Sequence, residues 1–210
     1  MNDNMKYSNS IENFVNSSQI SFTDLEIDIK CERIGLNGAI ILGIALSNCK
    51  NIQNLTLNIQ KNQNFTTQGL SYLFQDIHSL IHLQSLKLNL SLNSIQDEDC
   101  ENLSHVLVNC FNLQLLDLDF YCNEITDVGI SSLASVLMNF PQLKILKLMF
   151  ELNCIGMKGA FNLCSALQIS QNITNLSLNI YENFLNLENE MRLMKKIHKI
   201  KRLVKKSIYF

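Results

Sequence analysis

Two histidines, His78 and His82, stand four residues apart in the stretch DIHSLIHL. On a helix that spacing puts both imidazoles on one face, which is half of a zinc site. Zinc needs at least a third ligand, and ligand-like spacings are otherwise few. The plainer reading is two polar residues in a last helical turn, where imidazole suits the helix dipole, so no metal site is expected. The seven cysteines, Cys31, Cys49, Cys100, Cys110, Cys122, Cys154 and Cys164, form no CxxC pair. An odd count without such pairs points to reduced thiols and a reducing, cytoplasmic compartment. There is no GxSxG, no HExxH and no phosphate-binding glycine loop. No catalytic residue and no cofactor are therefore expected.

The third candidate is charge. The C-terminal stretch MRLMKKIHKIKRLVKK carries Arg192, Lys195, Lys196, Lys199, Lys201, Arg202, Lys205 and Lys206. A basic amphipathic helix can rest on anionic lipid or RNA. Its apolar members Leu193, Ile197 and Ile200 also suit a last structural unit whose outer side is charged for solubility. The whole chain of 210 residues has a formal net charge of −2, which argues against a general nucleic-acid binder. The N-terminus MNDNMKYSNSIENFVNSSQ lacks a charged-then-apolar leader pattern. The most apolar short run, Ala39 to Leu46, is too short for a bilayer, which needs about 20 residues. No transmembrane segment is expected. Asn-x-Ser/Thr triplets, at Asn54 and Asn175 among others, are ascribed to the abundance of asparagine rather than to glycosylation.

The elements that would position any of these residues come from a phrase written three times: LKLNLSLNSI from Leu86, LDLDFYCNEI from Leu116 and LKLMFELNCI from Leu146. The first apolar residue of each unit falls at Phe22, Ile52, Leu83, Leu113, Leu143, Ile173 and Leu203, at intervals of 30, 31, 30, 30, 30 and 30 residues. In the first half of a unit Leu116, Leu118 and Phe120 are apolar at every second residue, which predicts a strand with one buried face. In the second half Ile130, Leu133, Ala134, Leu137 and Met138 follow the spacing of a one-faced helix. A lone strand leaves both edges unpaired and a lone helix has nothing to pack on. Stacking the units satisfies both. Strands sit about 4.8 Å apart and helices about 10 Å, so the stack curves with the sheet inside.

Asn93, Asn123, Asn153 and Asn183 recur at the strand end, where an inward amide can bond loop backbone. Gly38, Gly69, Gly129 and Gly159 recur near the helix start, where close packing would exclude a Cβ, and Asp99 and Asn189 take that place in two units. Asp97, Glu98 and Asp127 put negative charge near helix N-termini. Glu32 replaces the asparagine in the first unit, the second carries an additional residue between Gln60 and Phe65, and Lys206 replaces an apolar residue in the last.

This repeat resembles the leucine-rich repeat, in the longer helix-containing form of ribonuclease inhibitor-like proteins, over about nine tenths of the chain. The resemblance implies an α/β solenoid, a curved right-handed horseshoe with a parallel sheet on the concave face and helices on the convex face. Six strands are expected near Leu25, Leu55, Leu86, Leu116, Leu146 and Leu176, with a seventh near Ser207. Helices are expected over 38–48, 69–79, 99–109, 129–139, 159–169 and 188–199. Residues 1–21 read as a polar tail and a capping helix, and 22–210 as the repeat domain of six repeats plus a partial terminal strand.

If Leu86, Leu88 and Leu90 face the core, the residues between them face the hollow. A first row across the strands is Glu26, Thr56, Lys87, Asp117, Lys147, Ser177; a second is Asp28, Asn58, Asn89, Asp119, Met149, Asn179; a third is Lys30, Gln60, Ser91, Tyr121, Glu151, Tyr181. Asp24, Glu26 and Asp28 are expected as an acidic edge on the first strand, and Asp117 as a rung between Lys87 and Lys147. Tyr121, Met149 and Tyr181 add the contact area that binding surfaces favour. The expected function is a non-enzymatic scaffold that binds a protein partner through these concave residues. Two alternatives remain: a regulator of a small GTPase or other enzyme system, as some ribonuclease inhibitor-like proteins are, using Arg33, Arg192 or Arg202, or a module docked to anionic membrane or RNA through the basic C-terminus.

Overall fold

The computed structural model describes residues 5–16, 22–62, 67–77 and 80–210. His78, the C-terminal end of the helix expected over 69–79, the first residues of the expected tail and the insertion before Phe65 lie outside these residues.

Eight strands form one sheet in sequence order: β1 Met5–Ser8, β2 Asp24–Asp28, β3 Asn54–Asn58, β4 Ser85–Asn89, β5 Leu115–Asp119, β6 Ile145–Met149, β7 Asn175–Asn179 and β8 Lys205–Tyr209. Every adjacent pair is parallel, and the repeat phrase sets the register: Leu86 lies opposite Leu116, Leu116 opposite Leu146 and Leu146 opposite Leu176. Helices connect the strands: α1 Ile11–Val15, α2 Gly35–Ser47, α3 Thr67–Ile77, α4 Asp97–Leu107, α5 Asp127–Val136, α6 Met157–Ile169 and α7 Leu187–His198. A short 3₁₀ turn, Leu137–Asn139, finishes α5. Consecutive helices pack on one another as consecutive strands do, so the molecule is a solenoid with the sheet lining its inner side.

One buried layer runs the length of the stack. Leu116, Leu118 and Phe120 of one unit meet Leu146, Leu148 and Phe150 of the next, and the rings of Phe120 and Phe150 stack with centroids 5.1 Å apart. Leu193, Ile197 and Ile200 join this core, as the repeat phase predicts.

The structure departs from the sequence reading at the N-terminus. The segment read as a tail holds β1, which pairs along the outer edge of β2. The reason is that β2 would otherwise leave its backbone donors and acceptors open. The acidic strand Asp24–Asp28 is therefore the second strand of the sheet and not its edge. The capping helix does form: α1 is capped by the Ser10 hydroxyl, which accepts from the Asn13 N–H at 3.1 Å, and it buries Phe14.

The helices begin two or three residues before the glycines used to place them. The caps are Thr126 for α5 and Asn186 for α7, whose side chains accept from Val128 N–H and Asn189 N–H. The glycines instead mark contact between units. A Cβ on Gly159 would lie 2.7 Å from the Cα of Asp127 and 2.6 Å from its Oδ1. Asp127 Oδ1 accepts from the N–H groups of Gly156 and Gly159, at 2.7 and 2.8 Å, and Asp97 Oδ1 does the same for Thr126 and Gly129, both at 2.8 Å. Each aspartate at the start of one helix thus caps the N-terminus of the next.

Candidate functional site: the concave sheet face

Alternation along β2 to β7 divides the side chains cleanly. Apart from Leu115 and Ile145, the leucines and isoleucines of these strands are buried, and the residues between them open on the hollow. Asp24, Glu26, Asp28, Asp117, Asp119, Tyr121, Lys147 and Met149 are partly exposed on this face, and Lys87 and Tyr181 are exposed. The structure therefore brings all ten onto one continuous surface. Glu26, Asp28, Lys87, Asp117 and Asp119, with Thr56, Asn58 and Asn89, line one hollow of about 270 Å³ over β2 to β5. A second depression of about 360 Å³, over β6 to β8, is lined by Lys147, Ser177, Lys205, Lys206 and Ser207 and contains no carboxylate.

The charges differ in how free they are. Lys147 Nζ donates to Asp117 Oδ2 at 3.0 Å, and Lys30 pairs with Asp28 at 3.4 Å. These are the two ion pairs among the described residues. Both are solvent-facing, and such pairs contribute up to about 1 kcal/mol. Lys87 lies opposite Asp117 in register yet forms no ion pair with it, so the expected three-member ladder is one pair and a free lysine. Asp24 is already engaged: it accepts from Asn54 Nδ2 and from the Thr23 hydroxyl, both at 2.7 Å.

The second row has a structural task that the sequence reading did not assign. Asn58, Asn89, Asp119 and Asn179 each accept, through Oδ1, from the N–H two residues on, at 3.2, 3.1, 3.0 and 3.0 Å. These side chains shape the turn at the strand end. Asp119 is one of them, and its carboxyl is raised above the ordinary aspartate range. Desolvation is the main cause. The Tyr121 N–H bond opposes it, and the neighbouring Asp117 and Glu151 add to it. In β6 the same place is taken by Met149, which makes no such bond and presents area instead.

Two further residues on this face were missed. Leu115 and Ile145 lie opposite one another, half-buried, one step before the first row. The alternation that exposed Asp117 and Lys147 could have located them by the same counting.

Behind the face, the asparagines at the strand ends form a ladder. Asn123 Oδ1 accepts from the N–H groups of Asn93 and Ile95, at 3.1 and 2.9 Å, and its Nδ2 donates to the carbonyls of Leu90 and Phe120, at 3.1 and 2.9 Å. Asn153 and Asn183 repeat the bond from the isoleucine N–H and both carbonyl bonds. Asn62 is a fifth member, buried, with its Nδ2 on the carbonyls of Ile29 and Ile59. It was overlooked, although it precedes Asn93 by the same 31 residues that separate Leu55 from Leu86.

All seven cysteines are free. Burial raises the thiols of Cys49 and Cys110 to about 11 and that of Cys164 to about 12, and pushes Cys100 well above its usual value. These four are packing groups and poor nucleophiles. Arg202, one of the three arginines considered for contacts with an enzyme, is occupied: its guanidinium donates to the carbonyls of Leu167 and Gln168. Lys196 lies 4.2 Å from the ring centroid of Phe161. Arg192, Lys195, Lys199, Lys201, Lys205 and Lys206 remain exposed. Among the described residues no three His, Cys, Asp or Glu side chains are placed to hold a metal ion, and no helix is long and apolar enough to cross a membrane.

A parallel strand–helix solenoid phased on leucine, with an asparagine ladder at the strand ends, has the architecture of a leucine-rich repeat solenoid. The sequence itself matches the family described as Leucine Rich repeat over residues 82–104 and 109–134. Among solved structures, leiomodin-1 actin-binding site 2 is similar with a TM-score of 0.56 and 14% identity, covering 75% of this chain and 86% of that one. The tropomodulin C-terminal domain from Caenorhabditis elegans is similar with a TM-score of 0.57 and 14% identity, covering 79% of this chain and 92% of that one. Both likenesses are of fold. No curated protein matches the sequence.

Proposed function

We propose that the chain is a non-enzymatic, cytoplasmic interaction module of the ribonuclease inhibitor-like type, which binds a protein partner through the concave face. The observation that carries this reading is the composition of the face. Met149 lies on β6, and Tyr121 and Tyr181 lie just after β5 and β7, on the same face as Lys87, Asp117 and Asp119 of the neighbouring hollow. Aromatic and methionine side chains supply binding area, and the charges select orientation and reject wrong partners. The name of one structural neighbour, an actin-binding site, supports a protein as the class of partner. At 14% identity it does not support actin in particular.

The test is capture from native extract by the immobilised chain, quantified by mass spectrometry, against a Tyr121→Ala, Met149→Ala double variant. Neither side chain is part of the core, so the melting temperature should be nearly unchanged. A specific partner should be depleted tenfold or more, about 1.4 kcal/mol. An identical set of captured proteins in both arms would overturn the reading.

A further inference from the structure

The segments that end each helix from α2 onward and lead into the next strand stack along one flank of the solenoid. They are residues 47–53, 78–84, 108–114, 138–144, 168–174 and 198–204. None of the chain's 19 aspartates and glutamates falls in them. Their lysines, Lys50, Lys144, Lys199 and Lys201, are exposed and make no ion pair among the described residues. The carbonyls of Leu80, Cys110 and Ile200 accept from the N–H groups three residues on, at 3.0, 3.2 and 3.4 Å. Residues 81–82, 111–112 and 201–202 are therefore the tips of tight turns. Ile81 and Phe111 at these tips are 62% and 58% exposed, and Pro141 takes the same place one repeat on. Asn112 Nδ2 donates to the Ile81 carbonyl at 3.0 Å and ties the first two tips together. Met138 and Ile169, at the ends of their helices, are 52% and 60% exposed. The negative end of the helix dipole disfavours carboxylates here, which accounts for the charge. It does not account for apolar side chains at turn tips, where polar residues suit the backbone better. Nor does an open end of the stack: Ile81, Phe111, Met138 and Ile169 all lie in units packed on both sides.

We propose that this flank is a second docking surface, separate from the concave face, and that it rests on an anionic lipid bilayer. Ile81, Phe111, Met138 and Ile169 enter the headgroup boundary, and the four lysines meet the negative lipid headgroups. Two observations select that occupant. A flank with lysines and no carboxylate is complementary to a negative surface along its whole length, and each lysine close to such a surface adds to the attraction. The apolar side chains stand out singly from successive turns. A fluid lipid boundary closes around each of them and gains its buried area, whereas a rigid protein partner would need a separate pocket for every one. Single-stranded RNA is held mainly by bases stacked on aromatic rings, and Phe111 is the one such ring among the exposed apolar residues of these turns. Lipid therefore fits the flank better than RNA does.

Flotation of the full chain with lipid vesicles tests this. Vesicles of phosphatidylcholine mixed two to one with phosphatidylserine should carry the chain up the gradient, and vesicles of phosphatidylcholine alone should not. Salt at about 1 M, where the screening length falls to about 3 Å, should release most of it. Ile81→Ser, Phe111→Ser and Ile169→Ser together should weaken binding at least tenfold, with an unchanged far-ultraviolet circular dichroism spectrum because all three side chains are exposed. Lys144→Glu, Lys199→Glu and Lys201→Glu together should do the same. Phe111→Trp in an otherwise unaltered chain is a measurement independent of these losses. The chain has no tryptophan of its own, so the emission of this variant reports one turn tip, and it should shift to the blue on the anionic vesicles. The Tyr121→Ala, Met149→Ala chain should float unchanged, which keeps this surface distinguishable from the concave one. Failure to float with anionic vesicles, equal flotation with neutral ones, unchanged binding by either triple variant, a Phe111→Trp emission that does not move, or tighter binding to polyuridylate than to vesicles would each overturn the proposal.

Discussion

Asp119 serves the fold and the surface at once, and the two tasks conflict. Its Oδ1 holds the Tyr121 N–H at 3.0 Å, while burial, Asp117 and Glu151 make its negative charge unfavourable. Asn89 and Asn179 make the same bond without charge. Asp119→Asn should therefore stabilise the protein at neutral pH. The folded-state carboxyl is raised, so below the ordinary aspartate range it is protonated folded and unfolded alike and contributes no pH dependence. As pH rises from that range through the raised folded value, the wild-type chain should lose stability relative to the variant. The difference should then hold constant. Urea melts of both proteins from pH 3 to pH 8 measure it, and a difference that narrowed with rising pH would contradict the stated environment. The same variant tests binding: loss of partner capture without loss of stability would mark Asp119 as a contact as well as a turn residue.

At the scale of the element, the turn after each strand repeats a conformation that no residue type announces. Cys31, Lys61, Leu92, Cys122, Leu152 and Glu182, spaced as the repeat is, all have φ between 54° and 63°. A left-handed backbone costs an L-residue about 1–2 kcal/mol, against about 0.5–1 kcal/mol for the additional freedom glycine loses on folding. Leu152, exposed at this position, should thus gain about 0.5–1 kcal/mol as Leu152→Gly, seen as a higher urea midpoint at constant slope. The ladder behind the turn behaves oppositely. Asn123→Ala removes four hydrogen bonds, three of them joining two units, and leaves buried backbone groups unpaired, so it should cost about 2–4 kcal/mol, given about 1–3 kcal/mol for a buried unsatisfied group. Thermal melts check this, and a cost below about 1 kcal/mol would mean that water replaces the amide.

For the whole molecule the question is how far damage in one unit spreads. Leu118 lies mid-strand in β5, buried, with units packed on both sides. Leu118→Ala should cost about 2–5 kcal/mol through lost burial and the cavity left behind. That approaches the stability of many domains. Because each unit buries its neighbours, the loss should appear as a lower midpoint of a single transition, with near- and far-ultraviolet circular dichroism moving together. Two separated transitions would show that the N-terminal and C-terminal units unfold independently.

What the sequence determined by itself is the period and everything locked to it. A spacing of 30 residues, with alternation in one half and helical spacing in the other, places seven strands, six helices, the core and the ten concave residues, because burial of one face is decided by local pattern. Only the tertiary structure decided the rest. MKYS at Met5–Ser8 carries no repeat phrase and becomes a strand because β2 offers an open edge. Asp97 and Asp127 cap a neighbour's helix about thirty residues away, and Arg202 is drawn onto the end of α6. Asp119, Asn89 and Asn179 look like binding residues in the sequence, and their bonds to the turn become visible once φ and ψ are known. These features depend on which groups meet across units, and pairwise proximity at a distance of one repeat is not a property of any local stretch of chain.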